Sequence, residues 1–171
     1  MVGVARDDPS RMSGGFVVRP AESAEDLAEV RRLVMAHADA RATTPGVEYV
    51  RADAAGMPGP YVPPRGGLWI AAEHGTALGC VALRPVDAQA AEVKRVFVEQ
   101  AARGRGVGRA LMERVIAEAR ARGYTVLRLG TLDDMHAAIA LYESLGFVPI
   151  ERYRADEMLD TRFFELPLTS P

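Results

Sequence analysis

Between Glu92 and Leu111 the chain reads Glu-Val-Lys-Arg-Val-Phe-Val-Glu-Gln-Ala-Ala-Arg-Gly-Arg-Gly-Val-Gly-Arg-Ala-Leu. The pattern predicts a strand ending near Val98, a short loop, and a helix beginning near Gly106. The first amides of a helix have no intrahelical acceptor, and the helix dipole adds positive potential at the same end. Glycines let an anion approach that backbone, so Arg103, Gly104, Arg105, Gly106, Val107, Gly108 and Arg109 form a candidate cradle for a phosphate or pyrophosphate. The side chains of Arg103, Arg105 and Arg109 bring positive charge to its rim. The alternative is a glycine-rich turn with a solvated basic surface.

Spacing narrows the ligand. A dinucleotide fingerprint requires Gly-x-Gly-x-x-Gly, and Arg109 stands where the third glycine would be. A P-loop ends in Gly-Lys-Ser/Thr, whereas Gly108 is followed by Arg109 and Ala110. What remains is Arg103-x-x-Gly106-x-Gly108 directly behind an apolar strand.

Composition excludes several function classes. The 171 residues suit one domain with a substantial core, and 49% apolar with 26% charged residues is ordinary for a globular protein. A net charge of −2 argues against a general nucleic-acid binder. The single cysteine, Cys80, rules out an internal disulfide and a cysteine-based zinc site; between Gly79 and Val81 it reads as a buried, inert strand thiol. No stretch approaches the ~18 apolar residues of a membrane span. Residues 1–15 lack a signal-peptide apolar core, so the expected location is cytoplasmic. They read as a flexible extension, and residues 16–171 as one domain.

The elements that must position the cradle follow from periodicity. Phe16 to Arg19 reads as a first strand, and Ser23 with Asp26 as a helix N-cap. Leu27, Val30, Leu33 and Val34 continue that helix to about Ala40. Thr43 to Gly67 holds a helix or a loop, with Gly56 to Gly66 a fixed non-helical segment. Leu68–Ala72 and Ala77–Leu83 form a hairpin turning at His74-Gly75. Ala91 to Val98 is the next strand, and its adjacent Lys94 and Arg95 should face opposite ways, so the sheet is open to water or ligand there unless this is merely an exposed strand beginning. Val107, Leu111, Met112, Val115, Ile116 and Ala119 stripe the helix after the cradle. A strand over Tyr124–Leu129, a helix through Ala138–Leu145 and strands at Phe147–Ile150 and Arg162–Leu166 complete the chain. The order predicts an α/β fold, one mixed sheet with helices on its faces.

Three motifs in this order resemble the GNAT N-acetyltransferase superfamily from about Phe16 to Leu168: the arginine–glycine loop, Glu92-Val-Lys-Arg-Val-Phe-Val98, and Ala138-Ile-Ala-Leu-Tyr-Glu-Ser-Leu-Gly-Phe147. The loop Gly59–Gly66 and Gly79-Cys-Val-Ala-Leu-Arg84 are similar to one subgroup of its small bacterial members. The resemblance implies a mostly antiparallel central sheet of about seven strands flanked by helices on both faces, and acetyl-CoA as co-substrate without a metal. It implies that the pantetheine arm pairs like an added strand with Val96, Phe97 and Val98, and that the pyrophosphate rests on Arg103 to Arg109. Tyr142 aligns with the tyrosine that protonates the departing thiolate; it also fits the core stripe of its helix.

The base is less marked. Glu92 is the first candidate, although it can equally pair with Lys94 or Arg95. The acid that other members carry on the fifth strand is Gly130 here, and a frequent asparagine is Met135; the adjacent His136 is a further candidate. Tyr61, Arg65, Lys94 and Arg95 are expected beside the acceptor, the cations suiting a carboxylate-bearing amine. The implied activity is acetyl transfer to the primary amine of a small, amino-acid-like molecule, in an enzyme that pairs as a homodimer, as related folds do. Two other readings stand: a non-catalytic acyl-CoA-binding module, and an acetyltransferase of protein amines.

Overall fold

The structure, a computed structural model, describes residues 15–154 and 161–168. Apart from Gly15, the extension expected over residues 1–15 lies outside the described residues. The elements run β1 (Val17–Pro20), α1 (Ala24–Ala40), α2 (Val47–Gly56), β2 (Gly67–Glu73), β3 (Thr76–Pro85), β4 (Ala90–Val98), a 3₁₀ turn (Gln100–Ala102), α3 (Val107–Ala121), β5 (Val126–Leu132), α4 (His136–Ser144), β6 (Val148–Ile150) and β7 (Thr161–Pro167). The seven strands lie in the order β1-β2-β3-β4-β5-β7-β6, every pair antiparallel except β4–β5.

Strand alternation divides the core in two. Trp69, Ala71, Val81 and Leu83 face a cluster closed by Leu111, Met112 and Val115 of α3, while Leu68, Ile70, Cys80 and Ala82 face Val30, Leu33 and Val34 of α1. Both faces of β2 and β3 are therefore covered, which is why their sequences are continuously apolar. Ser23 and Asp26 form the expected capping box, and Arg19 grips the same Asp26 carboxylate. Between α1 and β2 the chain resolves into helix: Val47, Val50 and Ala54 of α2 recur at helical spacing and are buried. The hairpin turns at His74 and Gly75, both at positive φ, as a tight two-residue turn requires.

The feature that shapes the site is a fork. β4 and β5 pair only through Ala90–Val126, Ala91–Leu127 and Glu92–Arg128. Beyond these, β4 continues with β3 alone and β5 with β7 alone. At the fork's vertex the Glu92 side chain has no solvent exposure. Its Oε2 accepts from Arg84 Nε and Nη2 at 2.8 and 2.6 Å, and its Oε1 from Arg154 Nε at 2.7 Å and the Tyr153 hydroxyl at 2.6 Å. Burial would raise this carboxyl group, but the Lys94 charge, the Tyr153 hydrogen bond and the two arginines outweigh it and hold it below the usual range.

One arm of the fork is bent. Ala82 opposes Lys94 and Cys80 opposes Phe97, so Val81 of β3 faces both Arg95 and Val96 of β4. This is a β-bulge, with Arg95 at φ +55°. Strict alternation would send Lys94 and Arg95 to opposite faces; the bulge instead brings both cations over one ring, that of Tyr49, at 5.4 and 5.1 Å from its centroid.

Two substitutions test the fork. Removing the Glu92 charge takes away the buried carboxylate that Arg84 and Arg154 share, so Glu92→Gln should lower unfolding free energy at pH 7 by about 3–5 kcal/mol in urea titrations. Because its folded pKa lies below the reference 4.5, Glu92 stabilises above that pH and loses its contribution as pH falls through the folded value. The variant should accordingly show a flatter loss of stability below pH 4.5 than the parent protein. At Gly79 a β-carbon would lie 2.5 Å from the Phe97 carbonyl oxygen, a backbone atom that cannot rotate away. Gly79→Ala should therefore destabilise by about 1–3 kcal/mol, and an unchanged melting temperature would disprove this account of the β3–β4 approach.

Candidate active site

The cradle forms where the sequence places it. Gly104 and Gly106 have φ of +76° and +80°, conformations that glycine adopts without strain. Gly106 caps α3, and the helix's first backbone bond runs from the Ala110 amide to the Gly106 carbonyl. The amides of Val107, Gly108 and Arg109 thus precede the helical ladder and meet no backbone acceptor. Around them Arg103 Nε donates to the Val98 carbonyl at 3.3 Å, Arg105 Nη2 to Glu73 at 2.7 Å, and Arg109 Nη2 to the Ser144 hydroxyl at 2.6 Å. The three arginines form a braced rim, with the donors in the backbone between them.

From this cradle the free edge of β4 leads into the fork. A pocket of about 120 Å³ opens there, bounded by Val34 and His37 of α1, Tyr49 and Val50 of α2, residues 93–97 of β4, residues 129–132 of β5, and Met135 and Tyr142 at α4. Val96, Phe97 and Val98 lie on the β4 arm beyond the last β4–β5 pair, so one side of their backbone has no strand beside it. Tyr142 lines the pocket with its ring tilted against Phe147 at 6.1 Å between centroids. Burial pushes its phenol well above the ordinary value, so it stays protonated throughout the neutral range. Lys94, largely desolvated, has an ammonium lowered to about 8.

Several sequence expectations find other places. Glu92, a candidate base, has both carboxylate oxygens engaged and no exposure, which suits a clamp that positions the strands better than an acceptor of substrate protons. Arg65 turns away from the pocket: it lies over the Tyr124 ring at 4.6 Å and donates to the carbonyls of Asp87 and Ala88. Tyr61 turns from the loop into the core beside α1 and α2, its hydroxyl donating to Asp53 at 2.8 Å. It reaches the site only through that carboxylate, which also takes Arg95 Nε at 2.6 Å. His136 is exposed at the start of α4 and does not line the pocket. At Gly130 a β-carbon would meet Thr161 at 3.1 Å, Phe163 at 3.3 Å and Arg154 at 3.4 Å, so a larger side chain at this position would crowd β7 and the arginine that binds Glu92.

The pocket also holds residues that the sequence reading passed over. His37 packs edge-on against Phe97 at 5.5 Å. Burial, then Arg41, Arg95 and Arg103, lower its pKa, so the imidazole is neutral at pH 7. Tyr49 and Asp53 come from α2, one turn apart, and together they hold Arg95. The Val47, Val50, Ala54 stripe was the available signal for that helix. Tyr153 and Arg154 left no signal, because only the fold brings them to Glu92. Among the described residues no cluster of three or more His, Cys, Asp or Glu is placed to hold a metal, and no helix is long and apolar enough to cross a membrane.

Comparison with known proteins agrees with this architecture. Residues 28–147 match the model of the acetyltransferase (GNAT) family. The chain is 36% identical over 111 residues to an uncharacterized N-acetyltransferase of Schizosaccharomyces pombe, covering 64% of this chain and 68% of that one. It is 40% identical over 104 residues to the IAA acetyltransferase of Azospirillum brasilense, covering 58% and 66%. An acetyltransferase from Streptococcus agalactiae superimposes with a TM-score of 0.75 at 26% identity, over 90% of this chain and 98% of that one. A GNAT-family acetyltransferase from Staphylococcus aureus does so with a TM-score of 0.77 at 21% identity, over 90% and 99%. With the cradle, the forked sheet and the tyrosine helix in the family's order, the chain belongs to the acetyltransferase (GNAT) family of acetyl-CoA-dependent N-acetyltransferases.

Proposed function

We propose that this acetyl-CoA-dependent enzyme acetylates the primary amine of a small molecule by direct attack on the thioester. One observation carries the reading: the unpaired arm of β4 runs from the free amides of α3 into a pocket that contains Tyr142. The residues present fit the co-substrate. Gly106 to Arg109, with Gly104 and Arg105, offer backbone donors for its pyrophosphate, and Val96, Phe97 and Val98 offer an open strand edge for its amide-bearing arm. When bound it supplies an activated acetyl group, whose carbon bonds to the amine nitrogen as the bond to sulfur breaks.

The chain's own residues then manage protons. The amine must lose one and the sulfur must gain one. Tyr142 is the donor in this proposal, because burial keeps its phenol neutral. His37 suits the opposite task, directly or through water, because its imidazole is neutral and lines the same pocket. A cavity of about 120 Å³ favours a small acceptor, being far below the ~300–1,000 Å³ that enclose drug-sized ligands. A relative from Danio rerio named N-acetylaspartate synthetase, 39% identical over 51% of this chain and 32% of its own length, accords with an amino-acid-like acceptor. The reading takes the protein as a cytoplasmic homodimer acting without nucleic acid or membrane.

Calorimetric titration should show acetyl-CoA binding in the micromolar range, and a thiol-release assay over a panel of amines should find an acceptor. Tyr142→Phe should lower kcat by more than tenfold, about 1.4 kcal/mol of barrier, with little change in acetyl-CoA affinity. An unchanged kcat would remove Tyr142 from the chemistry. For His37, kcat/KM should fall as pH drops below its ordinary value of 6.5 and the imidazole protonates, and His37→Gln should abolish that limb.

A further inference from the structure

The fork pocket is built around cations that its own carboxylates do not fully use. Arg95 and Lys94 line it together with Arg154, and no Asp or Glu does so among the described residues. Arg84 and Arg154 are committed to Glu92. Arg95 shares one bond with Asp53, through Nε, and its guanidinium carbon lies 5.1 Å from the centroid of the Tyr49 ring. Its side chain is only 9% exposed, and Nη2 is buried with no hydrogen-bond partner. A buried guanidinium nitrogen without an acceptor is unfavourable by itself, and an arginine held so rigidly at a bulge with positive φ adds local strain. Lys94, beside it over the same ring, makes no hydrogen bond or ion pair among the described residues. The arrangement sets an unpartnered guanidinium nitrogen and an ammonium side by side at the pocket.

We propose that the acceptor carries a carboxylate as well as its amine, and that Arg95 Nη2 and Lys94 bind that carboxylate while the amine points toward Tyr142. This rests on the acetyltransferase reading above and names its substrate class: aminocarboxylates of a few carbon atoms, the size a pocket of about 120 Å³ admits. The chemistry is coherent on both ends of the molecule. A carboxylate satisfies the unpartnered guanidinium nitrogen through a charge-assisted bond. The surrounding positive charge disfavours the ammonium form of the acceptor and so favours the neutral amine that attacks. Tyr61 and Asp53 take part at one remove: the Tyr61 hydroxyl fixes Asp53, and Asp53 fixes Arg95. They are positioning residues for the anion site, which gives the proline-rich loop a role in specificity without contact with the acceptor.

The test compares free amino acids with their own primary amides and with the corresponding decarboxylated amines. Each is assayed by thiol release, and each is titrated calorimetrically into protein saturated with free CoA. The carboxylates should exceed their amides by about tenfold to a hundredfold in kcat/KM and in affinity. Arg95→Gln and, separately, Lys94→Gln should shrink that ratio by tenfold or more, chiefly through KM; thermal melting and CoA titration verify that each variant is folded. Tyr61→Phe should shrink the ratio less and in the same direction. Equal rates for carboxylates and amides, or variants that leave the ratio intact, overturn the carboxylate site while leaving acetyl transfer standing. If no amine of any series is acetylated although acetyl-CoA binds, the acetyltransferase reading fails and the inference falls with it.

Discussion

A buried carboxylate at the last paired residue of two parallel strands is the constraint from which the site follows. Glu92 ends the β4–β5 ladder, and its oxygens tie together Arg84 from β3 with Tyr153 and Arg154 from the segment after β6. Such a cluster depends on its arginines, because a carboxylate with no exposure to water needs charged partners to stay ionised. The parting of β4 and β5 beyond this point leaves backbone groups unpaired inside a covered sheet, which is unfavourable unless a ligand or water takes their place. The clamp therefore sets where the sheet opens, and the opening is the candidate site.

The bulge at Arg95 converts that opening into a chemical environment. An extra residue on β4 against Val81 turns two consecutive cations to one side, where the Tyr49 ring receives both. Without it, alternation would leave one of the two in the apolar layer under the opposite helices. Gly79 makes the close approach of β3 and β4 feasible beside the bulge, since any side chain there would strike the Phe97 carbonyl. The strain at Arg95 is offset by its bond to Asp53 and its packing on Tyr49, a local conflict resolved by tertiary contacts at a place where a ligand would bind.

Division of labour between backbone and side chains separates the two halves of the candidate site. The cradle at α3 relies on helix-end amides and on two glycines at positive φ, with arginines braced against Val98, Glu73 and Ser144. Recognition by backbone suits a ligand that every family member shares. The fork pocket is made of side chains from α1, α2, β4, β5 and α4, and side chains are what vary when the same fold serves different acceptors.

The chain's local patterns determined its elements and the cradle. Period-2 and period-3.6 runs, a Ser23–Asp26 cap, a His74-Gly75 turn and an arginine–glycine loop each act within a few residues, so one-dimensional spacing is enough to read them. α2 was half hidden because Thr43–Gly67 mixes its short apolar stripe with prolines and glycines. Motifs mark Tyr142, Val96–Val98 and Arg103–Arg109 as candidates in the sequence, and the structure places Tyr142, Val96 and Phe97 at the pocket. The fates of Glu92, Tyr61, Arg65 and the Lys94–Arg95 pair were decided by the tertiary structure alone. Glu92 meets Arg154 across 62 residues and Arg95 meets Asp53 across 42. Whether a charged side chain is catalytic, structural or substrate-binding depends on which other charges share its low-dielectric surroundings. That neighbourhood comes from strand order, a bulge and a fork, and no spacing along the chain encodes it.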